Sequence, residues 1–305
     1  MVAPAFEYAA AGSYDEAVRL LAAAGDDAKV LAGGQSLMPM LNLRLARPEL
    51  LIDINPADQR PPSLAVPISG PISGPISGYS SGRLLRLPAL TRHRVLLEHD
   101  LVRQHCPLLA DAIRHVGNVR VRNRGTIGGS LAHADHTSEI GCCALATGAR
   151  VVARGPDGDR TVPVSELFAG YWTTTLASAE IITDVLIPVA RPGQGWSFHE
   201  MVRRTSDFAI VAVSVMVNLA ERTNRIAAAN VALAGVADRV VLADPELTGR
   251  TADDEAIEAA AAGIAGRLEP PDDVHASGEY RRRLARVLTA RALRQACARA
   301  AGGSP

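Results

Sequence analysis

The chain has 305 residues, about twice the length of a typical domain, so two or three compact units are expected. Its 32 Lys and Arg residues balance its 32 Asp and Glu residues, which argues against nucleic acid or an anionic membrane surface as a partner. Hydrophobic residues make up 48% of the chain but aromatic residues only 4%, so the core must be built from Ala, Val, Leu and Ile.

Cysteine usage and the apolar segments indicate the cellular compartment of the chain. The four cysteines, Cys106, Cys142, Cys143 and Cys297, include no C-x-x-C pair. We therefore expect free buried thiols in a reducing cytoplasm, and no iron–sulfur cluster held by this chain. The amino-terminal stretch lacks a basic leader and carries Glu7, which argues against a secretory signal. The longest apolar run, from Phe208, is too short for stable membrane insertion and is interpreted as a buried strand.

A first unit is predicted over residues 1–58. Ser13 and Glu16 form the S-x-x-E pattern of a capping box at the start of a helix, and Gly25 ends that helix. A strand at 29–32, a glycine loop, a short amphipathic segment and a second strand at 50–54 follow. The glycines thus stand at the carboxyl end of a strand, where open sheets commonly hold ligands.

Residues 59–82 are rich in Pro, Gly and Ser and contain PISG three times from Pro67 to Gly78. Proline at every fourth position prevents helix and ladder formation, and three four-residue units are too few for a solenoid. The segment is interpreted as a mobile connector without a function of its own, and it marks a domain boundary.

A second unit is predicted over residues 83–177. It comprises a helix over 91–116, a helical stretch SEIGCCALATGA, and a strand ARVVAR that leads through a Gly-Asp turn to TVPV.

A third unit, residues 178–305, is predicted to hold four strands, at IITDVLIPV, SFHEMVRR, the run from Phe208 and NRIAAANVALAG, grouped as an antiparallel set. Two helices, at 253–266 and 278–300, close the chain. The last helix has one side built from Leu284, Val287, Leu288 and Leu293, and many arginines on the other. Docking of the apolar stripe on its own domain explains this pattern better than a membrane surface does.

Two short segments carry the chemistry. AGGQS at 32–36 and TIGGS at 126–130 each join adjacent glycines to a hydroxyl residue. Glycine leaves the backbone open and permits positive φ, so successive amides can point at one anion such as a diphosphate, although each segment alone also fits an ordinary turn. Neither G-x-G-x-x-G nor G-x-x-x-x-G-K-[ST] occurs, so a dinucleotide would bind between two loops rather than on one helix end.

A neighbouring group of polar residues leaves an alternative open. His133, Asp135, His136 and Glu139 offer imidazole and carboxylate groups suited to zinc or iron, so a metal-dependent hydrolase using His133, Asp135 and His136 is a second hypothesis. The H-x-D-H spacing is not a standard ligand set, and we expect no metal here.

Four ordered segments resemble a known family. AGGQSLMPMLNLRLARPELLIDI, RVRNRGTIGGSLAHADHTSEI, GYWTTTLASAEIITDVLIP and HEMVRRTSDFAIVAVSV are similar, in that order, to the flavin subunit of molybdenum hydroxylases. That subunit is the medium subunit of carbon monoxide dehydrogenase-type and xanthine dehydrogenase-type enzymes. The resemblance covers nearly the whole chain.

The resemblance implies an α+β fold, in which a two-subdomain FAD-binding clasp of the vanillyl-alcohol-oxidase (PCMH) type is joined to a carboxyl-terminal α+β domain. It implies that FAD is the cofactor and that no side chain of this chain is an essential acid or base. The implied cofactor-binding residues are the two diphosphate loops, an acidic pair and an apolar residue near the flavin ring: Ala32, Gly33, Gly34, Gln35, Ser36, Thr126, Ile127, Gly128, Gly129, Ser130, Asp135, Glu139 and Ile182.

The resemblance also implies a division of labour. A large molybdenum-pterin subunit would oxidise the substrate, a small iron–sulfur subunit would carry the electrons, and this chain would pass them to an external acceptor, within a cytoplasmic dimer of heterotrimers. A self-sufficient flavin oxidase of the same fold and a non-catalytic assembly subunit remain as alternatives.

This sequence departs from the family pattern at several positions. Ser130 stands where Asn or Asp is common, and His136 replaces a common proline. His199 and Glu200 stand where some members have a lysine close to the flavin. The PISG run is unlike the short family connection.

Overall fold

The computed structural model describes residues 3–65, 83–191, 193–220 and 223–302. Its elements confirm an α+β fold in which three groups are each built around a β-sheet. The strands are β1 (Glu7–Ala10), β2 (Ala28–Leu31), β3 (Leu50–Asp53), β4 (Ser63–Ala65), β5 (Leu84–Pro88), β6 (Arg150–Gly155), β7 (Gly158–Pro163), β8 (Phe168–Gly170), β9 (Thr173–Thr174), β10 (Ile181–Pro188), β11 (Gln194–Val202), β12 (Ala209–Leu219), β13 (Ile226–Ala234) and β14 (Val241–Ala243). The helices are α1 (Tyr14–Ala24), α2 (Leu37–Asn42), α3 (His93–Glu98), α4 (Asp100–His105), α5 (Pro107–His115), α6 (Val119–Arg124), α7 (Ile127–His133), α8 (Glu139–Thr147), α9 (Val164–Leu167), α10 (Asp254–Gly266) and α11 (Gly278–Ala300).

The first group is a three-stranded parallel sheet in the order β1-β3-β2, with α1 packed on it. The predicted capping box is confirmed: Ser13 Oγ accepts from Glu16 N at 3.2 Å, and Glu16 Oε2 reaches back to Gly12 N at 2.8 Å. Gly25, with a φ of +59°, ends the helix as predicted. Because β2 and β3 are parallel, the first glycine segment after β2 and Asn55 after β3 lie at the same edge of the sheet.

The second group is an antiparallel sheet in the order β4-β5-β10-β6-β7, which shares a core with the helices from α3 to α8. The single helix expected over 91–116 is wrong, because this stretch forms α3, α4 and α5. The backbone of His99 is extended, and its ring Nδ1 accepts from Leu101 N at 3.3 Å, which starts a new helix. Pro107 starts the third helix, where its missing N–H costs nothing.

The strands of the second sheet extend beyond the predicted limits of the second unit. Ser63–Ala65 form β4 and pair with β5, so they are a strand of the second sheet and not connector. The PISG repeats at 67–78 lie outside the described residues. The predicted limit at 177/178 would separate β10 from the sheet in which it lies between β5 and β6. We therefore propose that the carboxyl-terminal domain begins between β10 and β11.

The third group is an antiparallel sheet in the order β11-β12-β13-β14. The prediction that IITDVLIPV joins this antiparallel set is wrong, because that strand is β10 and pairs with β5 and β6 of the second sheet. One face of β12 contributes Val211, Val213 and Val215 to a core with α10 and α11, and the other face packs on the core that contains α8. The two predicted terminal helices are confirmed as α10 and α11. Leu284 and Leu288 dock on the sheet as expected, but Val287 is 53% exposed and does not belong to the buried stripe.

Among the helices of the described ranges, none combines the length and apolar character that crossing a membrane requires.

Candidate cofactor site

The first glycine segment connects β2 to α2. Gly34 has a φ of +72°, a left-handed conformation that favours glycine. The backbone N–H groups of Gly33, Gly34, Gln35 and Ser36 donate to no acceptor in the described part of the chain. Four successive amides without acceptors, on a half-buried bend, have the character of an anion-binding site.

The second glycine segment is not a loop, which corrects the prediction for TIGGS. Thr126 caps α7, and its Oγ1 accepts from Gly129 N at 3.2 Å. The amides of Ile127, Gly128 and Ser130 donate to Thr91 O, Ala89 O and Thr126 O at 3.2, 2.9 and 3.0 Å. These amides are already bonded within the chain, so a ligand would meet this segment mainly through its bare glycine surface and its hydroxyl groups.

The two segments nevertheless lie against each other. A Cβ atom at Gly33 would stand 2.5 Å from Arg124 O and 2.9 Å from the Cα atom of Gly125. A Cβ atom at Gly129 would lie 3.7 Å from the Cβ atom of Ala32. Glycine at position 33 is therefore required for close approach of the segments, because any larger side chain would separate them.

Two polar side chains that the sequence analysis did not select hold the segments together. Asn55 Nδ2 donates to Ala32 O at 2.9 Å, and Arg92 Nη2 donates to Asn55 Oδ1 at 2.6 Å. Arg92 Nη1 also donates to Arg124 O. The only sequence signal for Asn55 is its position directly after a strand end, and Arg92 carries none.

Charged side chains surround the hydrogen bond between Asn55 and Arg92. Burial, followed by the positive charge of Arg124, lowers the pKa of Arg92. Burial acts to raise the pKa of Asp53, but hydrogen bonds from Asn55 and Tyr8 and the charge of Arg124 outweigh it, so the pKa is lowered. The glycine segments thus lie beside two guanidinium groups and one ionised carboxylate, an excess of positive charge that favours an anionic ligand.

Ser130, one of the predicted site residues, contacts a buried imidazole. Its Oγ lies 3.2 Å from His93 Nε2, and His93 is 2% exposed. Burial lowers the pKa of His93 to about 4, so the ring is neutral at physiological pH. His93 Nδ1 has no hydrogen-bond partner among the described residues. The neutral ring can orient the Ser130 hydroxyl but adds no charge to the site.

Asp135 and His136 have local structural roles. Asp135 Oδ1 accepts from Thr137 N at 2.8 Å and from Thr137 Oγ1 at 2.7 Å, a turn that leads into α8. The ring of His136 packs edge-on against Tyr171 with centroids 4.9 Å apart. Burial lowers the pKa of both His133 and His136. Within residues 3–65, 83–191, 193–220 and 223–302, no group of three or more His, Cys, Asp and Glu side chains is placed to hold a metal ion.

Glu139 is the first residue of α8. Burial, with further contributions from the charges of Glu200 and Asp135, raises the pKa of Glu139 to about 7, against the opposing effect of its backbone amide. The side chain therefore changes protonation state in the physiological range and can accept or donate a hydrogen bond there.

Ile182 lies in β10, at the centre of the second sheet. It is 4% exposed and belongs to the core that β5, β6 and α8 share. Its neighbour Ile181 points to the opposite face and packs in the core of the first group, against which Ala32 also lies. The structure therefore places Ile181, which the sequence analysis did not select, on the Ala32 side of β10.

Positions 199 and 200 carry His199 and Glu200, and His115 of α5 contacts Glu200. Glu200 Oε1 lies 3.0 Å from His115 Nδ1 of α5, and the Glu200 side chain is 7% exposed. Glu200 Oε2 has no partner among the described residues. The hydrogen bond to Glu200, opposed by burial, raises the pKa of His115. His199, whose pKa is lowered by burial, lies near Gln295 of α11.

The chain matches two family profiles that together cover most of it. Residues 4–59 and 78–190 match the FAD binding domain in molybdopterin dehydrogenase, and residues 196–296 match the CO dehydrogenase flavoprotein C-terminal domain. Residues 60–77, which include most of the PISG run, fall outside both matches.

Similar proteins cover nearly the whole chain. It is 38% identical to the 6-hydroxypseudooxynicotine dehydrogenase complex subunit alpha of Paenarthrobacter nicotinovorans, over 98% of this chain and 97% of that protein. It is 35% identical to the carbon monoxide dehydrogenase medium chain of Hydrogenophaga pseudoflava, over 99% and 100%. A solved carbon monoxide dehydrogenase from H. pseudoflava, which lacks the Mo-pyranopterin moiety, superposes with a TM-score of 0.88 at 34% identity, covering 98% of this chain and 99% of that one.

Proposed function

This chain belongs to the family of FAD-binding medium subunits of molybdenum hydroxylases, and from that premise we propose that it is an electron-transfer subunit. It accepts electrons from the iron–sulfur clusters of a small partner subunit and passes them to an external acceptor. FAD, when bound, supplies the redox chemistry, and the protein binds, orients and shields it.

One observation carries the proposal: the four amides of Gly33 to Ser36 donate to no acceptor in the described chain, beside Arg92 and Arg124. A diphosphate brings two negative charges and several acceptor oxygens to such a site. Hydrogen bonds to a charged group contribute about 1.5–3 kcal/mol each, so a few of them supply much of the affinity for a tightly held cofactor.

The remaining predicted contacts receive revised roles. We assign the second glycine segment to close packing under the cofactor, with Thr126 and Ser130 as its polar groups, since its amides are already bonded. Glu139, whose pKa is raised to about 7, is assigned a hydrogen bond to the cofactor. We assign Asp135 and Ile182 indirect roles in holding the cofactor. Asp135 orders the turn before α8, and Ile182 supports the sheet from within the core.

The names of the similar proteins support the proposal that this chain works within a multi-subunit complex. Two of them are called a medium chain and a subunit of a dehydrogenase complex. We extend this to the present chain as a partner of a large molybdenum-pterin subunit and a small iron–sulfur subunit, arranged as a dimer of heterotrimers in the cytoplasm. No side chain of this chain is proposed as an acid or base of the reaction.

The proposal is tested by producing the chain with its two companion subunits and purifying it through a tag on this chain. The expected result is co-purification of all three subunits with one FAD per chain, measured by flavin absorbance after denaturation. In a second step, the small subunit is reduced with dithionite, desalted and mixed anaerobically with the oxidised chain, and the flavin absorbance should fall. A chain that holds FAD but neither binds the companions nor accepts their electrons would support the self-sufficient oxidase instead.

A further inference from the structure

Three titratable side chains lie near one another where the second group joins the third: His115 of α5, Glu139 of α8 and Glu200 of β11. Glu200 Oε1 lies 3.0 Å from His115 Nδ1, and the Glu200 side chain is 7% exposed. Glu200 Oε2 has no hydrogen-bond partner in the described part of the chain. A nearly buried carboxylate with one oxygen bonded and one left over can receive a proton at the first and hold it at the second.

The strand register places Glu200 beside the start of α8. Glu200 is directly opposite Ala212 of β12, so the two side chains lie on the same face of the sheet. Ala212 belongs to the core that contains α8, and Cys142 Sγ of α8 lies 4.0 Å from Ala212 O. Because Cys142 comes three residues after Glu139, both lie on one side of the helix. Glu139 and Glu200 are therefore neighbours between α8 and β11.

The three side chains differ in their access to solvent. The His115 side chain is 43% exposed, so it exchanges protons with water directly. Glu200 is nearly buried behind it, and Glu139 starts α8 after the turn that Asp135 orders. His199 lies on the opposite face of β11 and is not part of the cluster. The cluster thus runs from the surface of the molecule to a residue assigned to the cofactor.

The surrounding charges favour the protonated forms of this cluster. The hydrogen bond to Glu200 is the main cause that raises the pKa of His115, and the charge of Asp111 of α5 adds to it. Burial is the main cause that raises the pKa of Glu139 to about 7, and the charges of Glu200 and Asp135 add to it. Glu139 can therefore take up and release a proton near neutral pH.

We propose that His115, Glu200 and Glu139 form a proton path between solvent and the bound cofactor. The inference rests on the proposed function, in which FAD is bonded to Glu139 and its electrons come from iron–sulfur clusters, which transfer no protons. Reduction of FAD to FADH2 consumes two electrons and two protons, so the protons must come from water.

Each transfer along the path exchanges one bond to hydrogen for another. A proton from water binds the His115 ring, and the Nδ1–H bond then breaks as an O–H bond forms on Glu200. Glu200 passes a proton to Glu139 in the same way, and Glu139 donates one at the cofactor. The ring and both carboxylates return to their starting states, ready for the second proton.

The test uses the full chain loaded with FAD and needs no companion subunit. Glu200→Gln keeps the size of the side chain but removes its titration, and His115→Ala removes the outer end of the path. The matched control is Glu98→Gln, at an exposed carboxylate of α3. Each protein is mixed anaerobically at pH 7 with the methyl viologen radical cation, which donates single electrons and no protons. Flavin absorbance follows the reduction, and a pH-indicator dye in unbuffered solution follows proton uptake.

Glu200→Gln and His115→Ala should take up protons at least about tenfold more slowly than the wild type and Glu98→Gln, at equal FAD content. Added imidazole should restore the rate in His115→Ala but not in Glu200→Gln. Uptake by both variants at the wild-type rate would overturn the proton path and leave the proposed function intact. Loss of FAD from both variants would also overturn the path, because the cluster would then serve to hold the cofactor. A wild-type chain that binds no FAD would overturn the proposed function as well.

Discussion

Asn55 and Arg92 are joined by a hydrogen bond of 2.6 Å, and each also binds a backbone carbonyl on a different side of the candidate site. Asn55 binds Ala32 O of the first glycine segment, and Arg92 binds Arg124 O just before the second. The pair thus fixes the distance between two chain segments that are far apart in sequence. A ligand that contacts both segments depends on this bridge even without touching it.

We predict that Asn55→Ala weakens FAD binding while the fold is retained. The substitution removes the hydrogen bonds to Ala32 and Arg92, so the first segment loses its fixed distance from the second. A loss of about 1–3 kcal/mol, or roughly 5- to 150-fold in Kd, is expected. Titration of the apo chain with FAD, followed by flavin fluorescence, measures it.

The control is Gln104→Ala, which removes an exposed amide side chain from α4. It should leave the Kd for FAD unchanged. If Asn55→Ala binds FAD as tightly as this control, the bridge has no part in forming the site.

Local patterns predicted the fold where the signal was local. The capping box at Ser13 and the stop at Gly25 were correct because caps depend on residues a few positions apart. The second glycine segment was mistaken for a loop, although its cap from Thr126 to Gly129 is as local as that of Ser13, because adjacent glycines disfavour a helix. The contact of Gly128 with Ala89, which packs this helix start, is tertiary and has no local pattern. The Asn55–Arg92 bridge joins residues 37 positions apart, and no single-sequence pattern reports such a pair.

A second prediction concerns Gly128→Val. From the sequence alone, the valine would enter the diphosphate space and remove FAD while the fold survived. In the structure, a Cβ atom at Gly128 would instead overlap Ala89, with Ala89 O at 2.9 Å. The substitution should therefore destabilise the FAD-free chain itself, by about 1–3 kcal/mol, as overpacking typically does.

Urea unfolding of the apo protein measures the effect on stability. Gly266→Ala is the control, because a Cβ atom there meets nothing within 4 Å, and its stability should match the wild type or exceed it slightly. An apo Gly128→Val protein as stable as the wild type would show that α7 can move away from Ala89.

A third prediction uses Glu139, whose pKa is raised from 4.5 to about 7 by burial and by neighbouring carboxylates. Between these two values the unfolded chain has lost the proton and the folded chain still holds it. The stability that the neutral form contributes is therefore complete below pH 4.5 and declines as the pH rises toward 7. Glu139→Gln should remove this decline and make the apo chain more stable than the wild type at pH 8.

The test compares the difference in stability between Glu139→Gln and the wild type at each pH, because other groups titrate in the same pH range. His115, whose pKa is raised, contributes a decline of the same sign in both proteins, whereas His93, with a pKa lowered to about 4, loses stability as the pH falls. Urea midpoints at pH 5 and pH 8 are measured for each. A difference that does not change between these two pH values would contradict the raised pKa of Glu139.

The last prediction concerns the contact between His115 of α5 and Glu200 of β11, which links the second group to the third at 3.0 Å. His115→Ala leaves a nearly buried carboxylate with no partner at either oxygen, since Glu200 Oε2 has none among the described residues. Glu200→Gln leaves no buried charge. The histidine substitution should therefore cost more, by about 1–2 kcal/mol, and the double variant should recover most of that difference. Because the pKa of His115 is raised, the imidazole keeps its positive charge to a higher pH than a free histidine, and the coupling energy should fall as the pH rises through that pKa. Urea unfolding of the four proteins at pH 6 and pH 9 measures the coupling, and equal costs for the two single variants at both values would show that the pair does not hold the two groups together.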